Sequence, residues 1–316
     1  MGAELRVYRR RIRSVESTKK ITKAMELIAA SRIVKAQNRM NAAKPYAKEL
    51  QHALAEIGGD KTLAHPMLTG VENPRRAGIL LVTSDRGLAG GYNANAIRTA
   101  NELAERLSGE GKEVERYVIG RKGAAYFNFR HIQLAGSWTG FSEQPKFADA
   151  RGATEAVVGA LTATSEGEVD EGRPGIDELW VVYTRFVNTV TQTPTAVQVS
   201  PVQASGDEQA GEDDRGEADG EKESAASYEF EPEPAELIAA LLPRYISARI
   251  YSALLESATS ESAARRRAMK SASDNATELI STYTRLANQA RQAEITQEIS
   301  EIVGGADALA AAGSDY

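Results

Sequence analysis

Apolar residues recur at alternating spacings of four and three near both ends of this chain. Toward the C-terminus the stripe is Ala272, Ala276, Leu279, Tyr283, Leu286, Ala290 and Ala293. Toward the N-terminus it is Ile33, Ala36, Met40, Ala43, Ala47, Leu50, Leu54 and Ile57, preceded by Tyr8, Ile12, Val15, Thr22 and Met25 with one polar gap. This is the heptad pattern of a helix that packs along its length on another helix. Residues 244–303 hold no Gly or Pro, and an unbroken helix of that length would measure ~90 Å. Such a helix cannot bury itself within its own domain. Residues 3–57 read as a second long helix interrupted only by Pro45. Proline costs about 3 kcal/mol in a helix interior, so a kink or local break is expected near Ala43–Lys44. Gly58-Gly59-Asp60 is the expected stop. Two such helices predict an antiparallel coiled coil forming a rod; the alternative is that each stripe is the core face of a separate bundle.

Between the helices the period changes. After a polar, Pro-containing linker at 60–76, Gly78–Thr83 is a short continuous apolar run, as in a strand buried on both faces. A glycine-rich turn (84–93), a helix (94–107), a strand (114–119), a short helix (122–128), a weak strand (132–135) and a helix (147–162) follow. Leu179–Val187 is the strongest strand, and Thr195–Val202 a further one, with Pro194 favouring a sheet edge. Alternating strands and helices predict a parallel α/β, Rossmann-like domain over 77–203. Residues 165–176 read as an exposed loop. Residues 204–234 are poor in apolar residues and strongly acidic, the composition of a disordered insert. The expected organisation is therefore an N-terminal helix (1–59), a linker (60–76), the α/β domain (77–203), the acidic insert (204–234), the C-terminal helix (235–310) and a short tail (311–316). Pro243 is a candidate kink near the start of that last helix.

Charge changes the picture only through its distribution. The net charge is −6, yet residues 1–50 carry thirteen Lys or Arg against four acids, and residues 205–233 carry twelve acids against two bases. Different parts of the chain are built to face different partners. Cysteine is absent, which excludes disulfides, thiolate metal sites and thiol nucleophiles. The three histidines, His52, His65 and His131, have no metal-ligand spacing. No apolar run approaches the ~18 residues of a membrane span, and the basic start lacks the apolar core of a secretory signal.

Two turns invite a chemical reading. Ser84-Asp85-Arg86-Gly87-Leu88-Ala89-Gly90-Gly91-Tyr92-Asn93 lies between a strand and a helix, where a phosphate-cradling loop would sit, but it has neither the dinucleotide glycine spacing nor a P-loop lysine. It reads better as a tight turn needing positive φ at glycine. Gly120-Arg121-Lys122-Gly123 is a similar case. The basic N-terminal helix could serve nucleic-acid phosphates or acidic protein loops. No Ser/His/Asp or HExxH arrangement and no acid/base pair is present, so no catalytic residue, metal ligand or cofactor site is expected.

Several segments together resemble the ATP synthase γ subunit family. Near the N-terminus these are Ile21-Thr22-Lys23-Ala24-Met25-Glu26 and Ala29-Ala30-Ser31. In the centre they are Ser84–Leu88 with Gly90, Gly91 and Asn93, and Ile119-Gly120 with Lys122-Gly123. Near the C-terminus they are Ala268–Ala272 with Asp274-Asn275-Ala276, then Ala290-Arg291-Gln292-Ala293, and a signature of Ile295, Thr296, Glu298, Glu301, Gly305 and Ala306. The resemblance implies a non-catalytic rotor: two terminal helices inside a ring of three α and three β subunits, with the α/β domain outside, against the ε subunit and the c-ring. It implies no cofactor and no nucleic-acid partner. It implies attachment to the membrane only through the complex, at the cytoplasmic face of a bacterial plasma membrane. Arg265, Gln292, Arg291, Thr296, Met25 and Lys23 match positions that contact β loops. The acidic segment and the 165–176 loop are longer than in familiar bacterial relatives and resemble actinobacterial members; one or both are expected to restrain rotation or ATP hydrolysis, or to touch ε. The C-terminal stripe changes phase between Ala293 and Ile295, where Ile295, Ile299, Ile302, Ala306 and Leu309 begin a new one. There the C-terminal helix is expected to outrun its partner.

Overall fold

The computed structural model describes residues 3–58, 66–169, 172–202 and 234–313. The acidic stretch 204–233 lies outside the described residues. The chain divides into two compact units, residues 1–29 with 265–316, and residues 30–264.

In the first unit, the start of helix α1 (Ala3–Gly58) pairs with the end of helix α6 (Pro234–Gly313). Tyr8 meets Tyr283 with ring centroids 6.4 Å apart, and the Arg11 guanidinium lies 5.7 Å from the Tyr283 ring. Thr22 meets Ser273. One number rises while the other falls, so the pair is antiparallel. Along α1 the covered positions are Leu5, Tyr8, Ile12, Val15, Lys19, Thr22, Met25, Glu26 and Ala29, which fills the polar gap of the expected stripe with Lys19. On α6 the expected Ala272, Ala276, Tyr283, Leu286 and Ala290 are covered, joined by Ser273, Ile280 and Ala287, whereas Leu279 is 44% exposed and Ala293 is exposed. The covered face is thus wider than the expected stripe, and the Ser273 hydroxyl meets Thr22 within it.

The second unit holds a five-stranded sheet in the order β3-β2-β1-β6-β7. Its strands are β1 (Arg76–Val82), β2 (Glu113–Ile119), β3 (Gly136–Trp138), β6 (Glu178–Phe186) and β7 (Gln192–Ser200). The first four are parallel. β7 runs antiparallel to β6, a departure from an all-parallel sheet. Only residues 187–191 join the two strands, too few for a crossover and enough for a hairpin. Pro194 sits within β7, which is an edge strand, where a missing N–H is tolerated. The weak strand expected at 132–135 begins instead at Gly136. Ile132 N–H closes the end of helix α4 (Arg121–Phe129) on Phe127 O, so those apolar residues serve the helix end, and the sheet resumes where Trp138 stacks on Tyr117.

Alternate residues of β1 serve opposite faces. Ile79 and Leu81 pack with Ala96, Ala100, Leu103 and Leu107 of helix α3 (Tyr92–Gly109). Leu80 and Val82 join Val157 and Leu161 of helix α5 (Arg151–Ala163), Leu50 and Leu54 of α1, and Leu242, Ile246 and Leu254 of α6. The long helices are thus core elements of this unit, and α1 is helical without a break at Pro45, as α6 is at Pro243. A short helix α2 (Pro66–Thr69) precedes β1.

The described residues of 165–176 are less open than a surface loop. Strands β4 (Glu168–Val169) and β5 (Arg173–Pro174) pair as a small antiparallel ladder, and Ile176 is fully buried. Asp177 accepts hydrogen bonds from the backbone N–H groups of Arg75, Arg76 and Ser165 at 2.7, 3.0 and 2.9 Å. Arg173 reaches Ala135 O at 3.1 Å and pairs with Glu115 at 3.2 Å. Both stems are therefore fastened to the sheet.

Candidate functional site

The N–H groups at the start of α4, which a phosphate at the end of β2 would use, are already occupied by the protein. Helix α4 presents its first N–H groups beside Gly120, whose φ is +103°. Arg121 N–H donates to Asp85 Oδ1 at 3.1 Å, Lys122 N–H to Ser84 O at 3.0 Å, Gly123 N–H to Thr83 Oγ1 at 3.0 Å and Ala124 N–H to Gly120 O at 3.2 Å. None is left to cradle a phosphate. A Cβ at Gly120 would fall 2.2 Å from Thr83 O, so the glycine is there for close approach. Gly90 has φ +57°, the conformation expected of a tight turn.

Asp85 is the hub of these turns. Besides Arg121 N–H it accepts from Gly140 N–H at 2.8 Å and Ser142 N–H at 3.0 Å, while its own N–H donates to Ser142 Oγ at 2.8 Å. Burial pushes its carboxyl up, but these three N–H donors, with Arg121 nearby, outweigh burial and hold it below its ordinary value. The charged form therefore ties the ends of β1, β2 and β3 together. The sequence marks Asp85 only as one charged residue in a turn; its partners lie 36 to 57 residues away. Neighbouring cations are engaged likewise: Glu143 pairs with Arg32 at 2.5 Å and with Arg86 at 3.5 Å. Among the described residues no cluster of three His, Asp or Glu is placed to hold a metal ion.

The residues singled out by resemblance lie on the helix pair of the first unit. Lys23 is exposed and pairs with Glu26 at 2.9 Å. Met25 is half-buried in the seam. Arg291, Gln292 and Thr296 face outward, Thr296 Oγ1 donating to Gln292 O at 2.9 Å. Ile295, Glu298, Glu301, Gly305 and Ala306 are all exposed, with Gln297 Nε2 donating to Glu301 Oε1 at 2.9 Å. Arg265 is different: only 5% of it is exposed. Carrying the Thr22–Ser273 register down the pair places residue 4 opposite residue 291. From 295 to 306 every residue of α6 is exposed, in agreement with a helix that has outrun its partner. A second apolar stripe on α1, with Ile21, Leu27 and Ile28, also faces outward. Such outward-facing apolar side chains beside exposed Lys and Arg suit a partner surface better than water.

The chain matches the ATP synthase family over residues 4–309. It is 54% identical over 315 residues to the ATP synthase gamma chain of Acidothermus cellulolyticus and 53% identical over 317 residues to that of Streptomyces avermitilis, covering all of both chains in each case. Its fold is also that of solved ATP synthase structures, among them the following. A chain of the Euglena gracilis mitochondrial ATP synthase OSCP/F1/c-ring assembly has a TM-score of 0.67 at 17% identity, covering 100% of this chain and 97% of its own. A chain of the Tetrahymena thermophila mitochondrial central stalk and c-ring has a TM-score of 0.56 at 20% identity, covering 80% and 99%. With more than half its residues shared along the full length of those bacterial relatives, the chain belongs to the ATP synthase gamma chain family.

Proposed function

We propose that this chain is the central-stalk subunit of a proton-driven F1Fo ATP synthase. It turns inside an α3β3 ring and passes rotation of the c-ring to the catalytic sites on β. Full-length likeness to bacterial gamma chains carries this reading, and the antiparallel helix pair with its uncovered outer faces fits it. A stalk that must slip past three β subunits needs modest, distributed contacts, because one strong specific contact would stop it. Its asymmetric surface then favours a different conformation of each β in turn, a population shift by differential contact.

Within this reading Lys23, Met25, Arg291, Gln292 and Thr296 meet β loops, and the exposed cations of the N-terminal helix face acidic loops of the ring. Arg265, covered by its own chain, acts through its exposed neighbours Arg266 and Arg267. The chain supplies no catalytic group; Asp85, the most elaborately bonded carboxylate of the strand ends, is spent on backbone N–H groups. It binds no cofactor. Its place is at the cytoplasmic face of the bacterial plasma membrane, held there by c-ring and ε contacts; among the described residues no helix is long and apolar enough to cross a membrane. Nucleic-acid binding by the basic helix gains nothing from family membership. The deciding experiment is reconstitution with a matched α3β3 ring. Co-purification and restored ATPase activity are expected; a chain that neither joins the ring nor changes its activity overturns the proposal.

A further inference from the structure

One stretch of α6 breaks the pattern of the rest of that helix. Ser257, Ala258, Thr259, Ser260, Glu261 and Ser262 are polar in all but one position, yet all are buried to within 2%. The reason lies in β6. Strand β1 stops pairing with β6 at Leu81, opposite Val182. On the other side, Thr184 is opposite Pro194 of the edge strand β7 and does not turn its peptide groups toward it. The N–H and O of Thr184 point to the side that β1 has vacated, where they would be buried without the partners that a strand supplies. Helix α6 supplies those partners. Ser257 Oγ accepts from Thr184 N–H at 3.4 Å, and Ser260 Oγ donates to Thr184 O at 2.9 Å. One step on, Phe186 N–H donates to the Glu256 carboxylate. From the helix α3 side, Tyr92 Oη donates to Ser257 O at 3.3 Å.

We infer that this row of side chains is a torque clamp: Glu256, Ser257 and Ser260 continue the β1 edge of the ladder and lock α6 against rotation about its own axis relative to the sheet. The inference rests on the stalk reading above. The core that α6 shares with the sheet through Leu242, Ile246 and Leu254 is apolar. Apolar packing is non-directional and resists separation better than it resists sliding. Hydrogen bonds to fixed peptide groups are directional, so they carry the load that a turning c-ring would place between the α/β domain and the helix. The three are positioning residues, acting through α6 on sites that they never touch.

The test uses the complete complex in membrane vesicles, with ATP hydrolysis and ATP-driven proton pumping measured together. Ser257→Ala/Ser260→Ala removes both serine bonds and leaves two small helix-forming residues. Hydrolysis should stay within about two-fold, while protons pumped per ATP hydrolysed fall several-fold as load slips. Ser262→Ala, equally buried on the same helix, should leave the ratio unchanged. A pumping-to-hydrolysis ratio in the double variant equal to that of the unsubstituted complex overturns the clamp. If the double variant does not assemble, Ser257→Ala and Ser260→Ala singly carry the test, and unchanged ratios in both overturn the clamp equally. The unsubstituted chain is the control for the stalk reading. If it supports no coupled pumping, that reading fails and the clamp falls with it.

Discussion

Thr22 and Ser273 lie 251 residues apart in sequence and join hydroxyls across the helix pair at 2.7 Å. Thr22 Oγ1 also donates to Lys19 O at 3.1 Å, so Ser273 is the donor in the shared bond. Thr22→Val keeps the shape of the side chain and strands the Ser273 hydroxyl. We predict a loss of about 1–3 kcal/mol, the usual cost of a buried unpaired donor. Ser273→Ala should cost less, because Thr22 keeps its proton on Lys19 O. The double variant should be less destabilised than the sum of the two. Denaturant unfolding followed by helical circular dichroism gives the cycle, and strictly additive effects would reject the pairing.

Asp85 makes a prediction with a sign. Its folded-state pKa is depressed, so its stabilisation is fully present above the ordinary value of 3.8 and is lost as pH falls below it. Asp85→Asn should remove that acid-side slope and cost about 1–3 kcal/mol at neutral pH, as an amide accepts the same N–H donors less well than a carboxylate. Thermal melts of both chains from pH 7 to 3 decide it. Parallel curves would mean that Asp85 does not carry the bracket.

Glu256 runs the other way. Burial raises its pKa above the ordinary 4.5, and neither the Phe186 N–H nor the nearby Lys44, Arg185 and Arg249 cancels that effect. A raised carboxyl holds its proton more tightly when folded, so its contribution is greatest below pH 4.5 and declines as pH rises toward the folded value. Glu256→Gln keeps an acceptor for Phe186 N–H and removes the decline. The variant should gain stability relative to the parent as pH rises from 4 to 7, and a constant difference over that range would contradict the assignment.

Removing residues 166–174 takes away the β4–β5 ladder and leaves Asp177 with its Arg75 and Arg76 partners. If the segment restrains rotation, ring-assembled enzyme with the deletion hydrolyses ATP faster. An unchanged rate would count against a braking role.

The terminal helices are readable from sequence because heptad spacing and the lack of Gly and Pro are local facts. Which side of the stripe is covered is not local. Leu279 and Ile280 are both apolar and adjacent, yet Ile280 is covered and Leu279 is 44% exposed, and the partner on the covered side comes from the far end of the chain, where Thr22 meets Ser273. Pro45 shows the converse. Propensity argues for a break, yet neighbours on α1 such as Leu50 and Leu54 belong to the main core, and packing overrides the local cost. In the sheet, apolar runs identify β1 and β6, while the direction of β7 depends on counting the residues that join it to β6. Ile132 looks like strand by composition and serves a helix end because α4 needs its N–H. The least visible feature is the bracket at Asp85, whose three acceptor bonds reach two other turns that no spacing rule connects.

The uncovered end of α6 has a consequence for supply rather than for motion. Ile299 and Ile302 are 56% and 72% exposed, and a helix without a partner is only marginally stable in water. A free copy of this chain therefore carries a protease-sensitive tip that assembly would shield. Copies made in excess of the ring are predicted to be trimmed first. Limited proteolysis should cut the free chain beyond residue 295 and spare the assembled one.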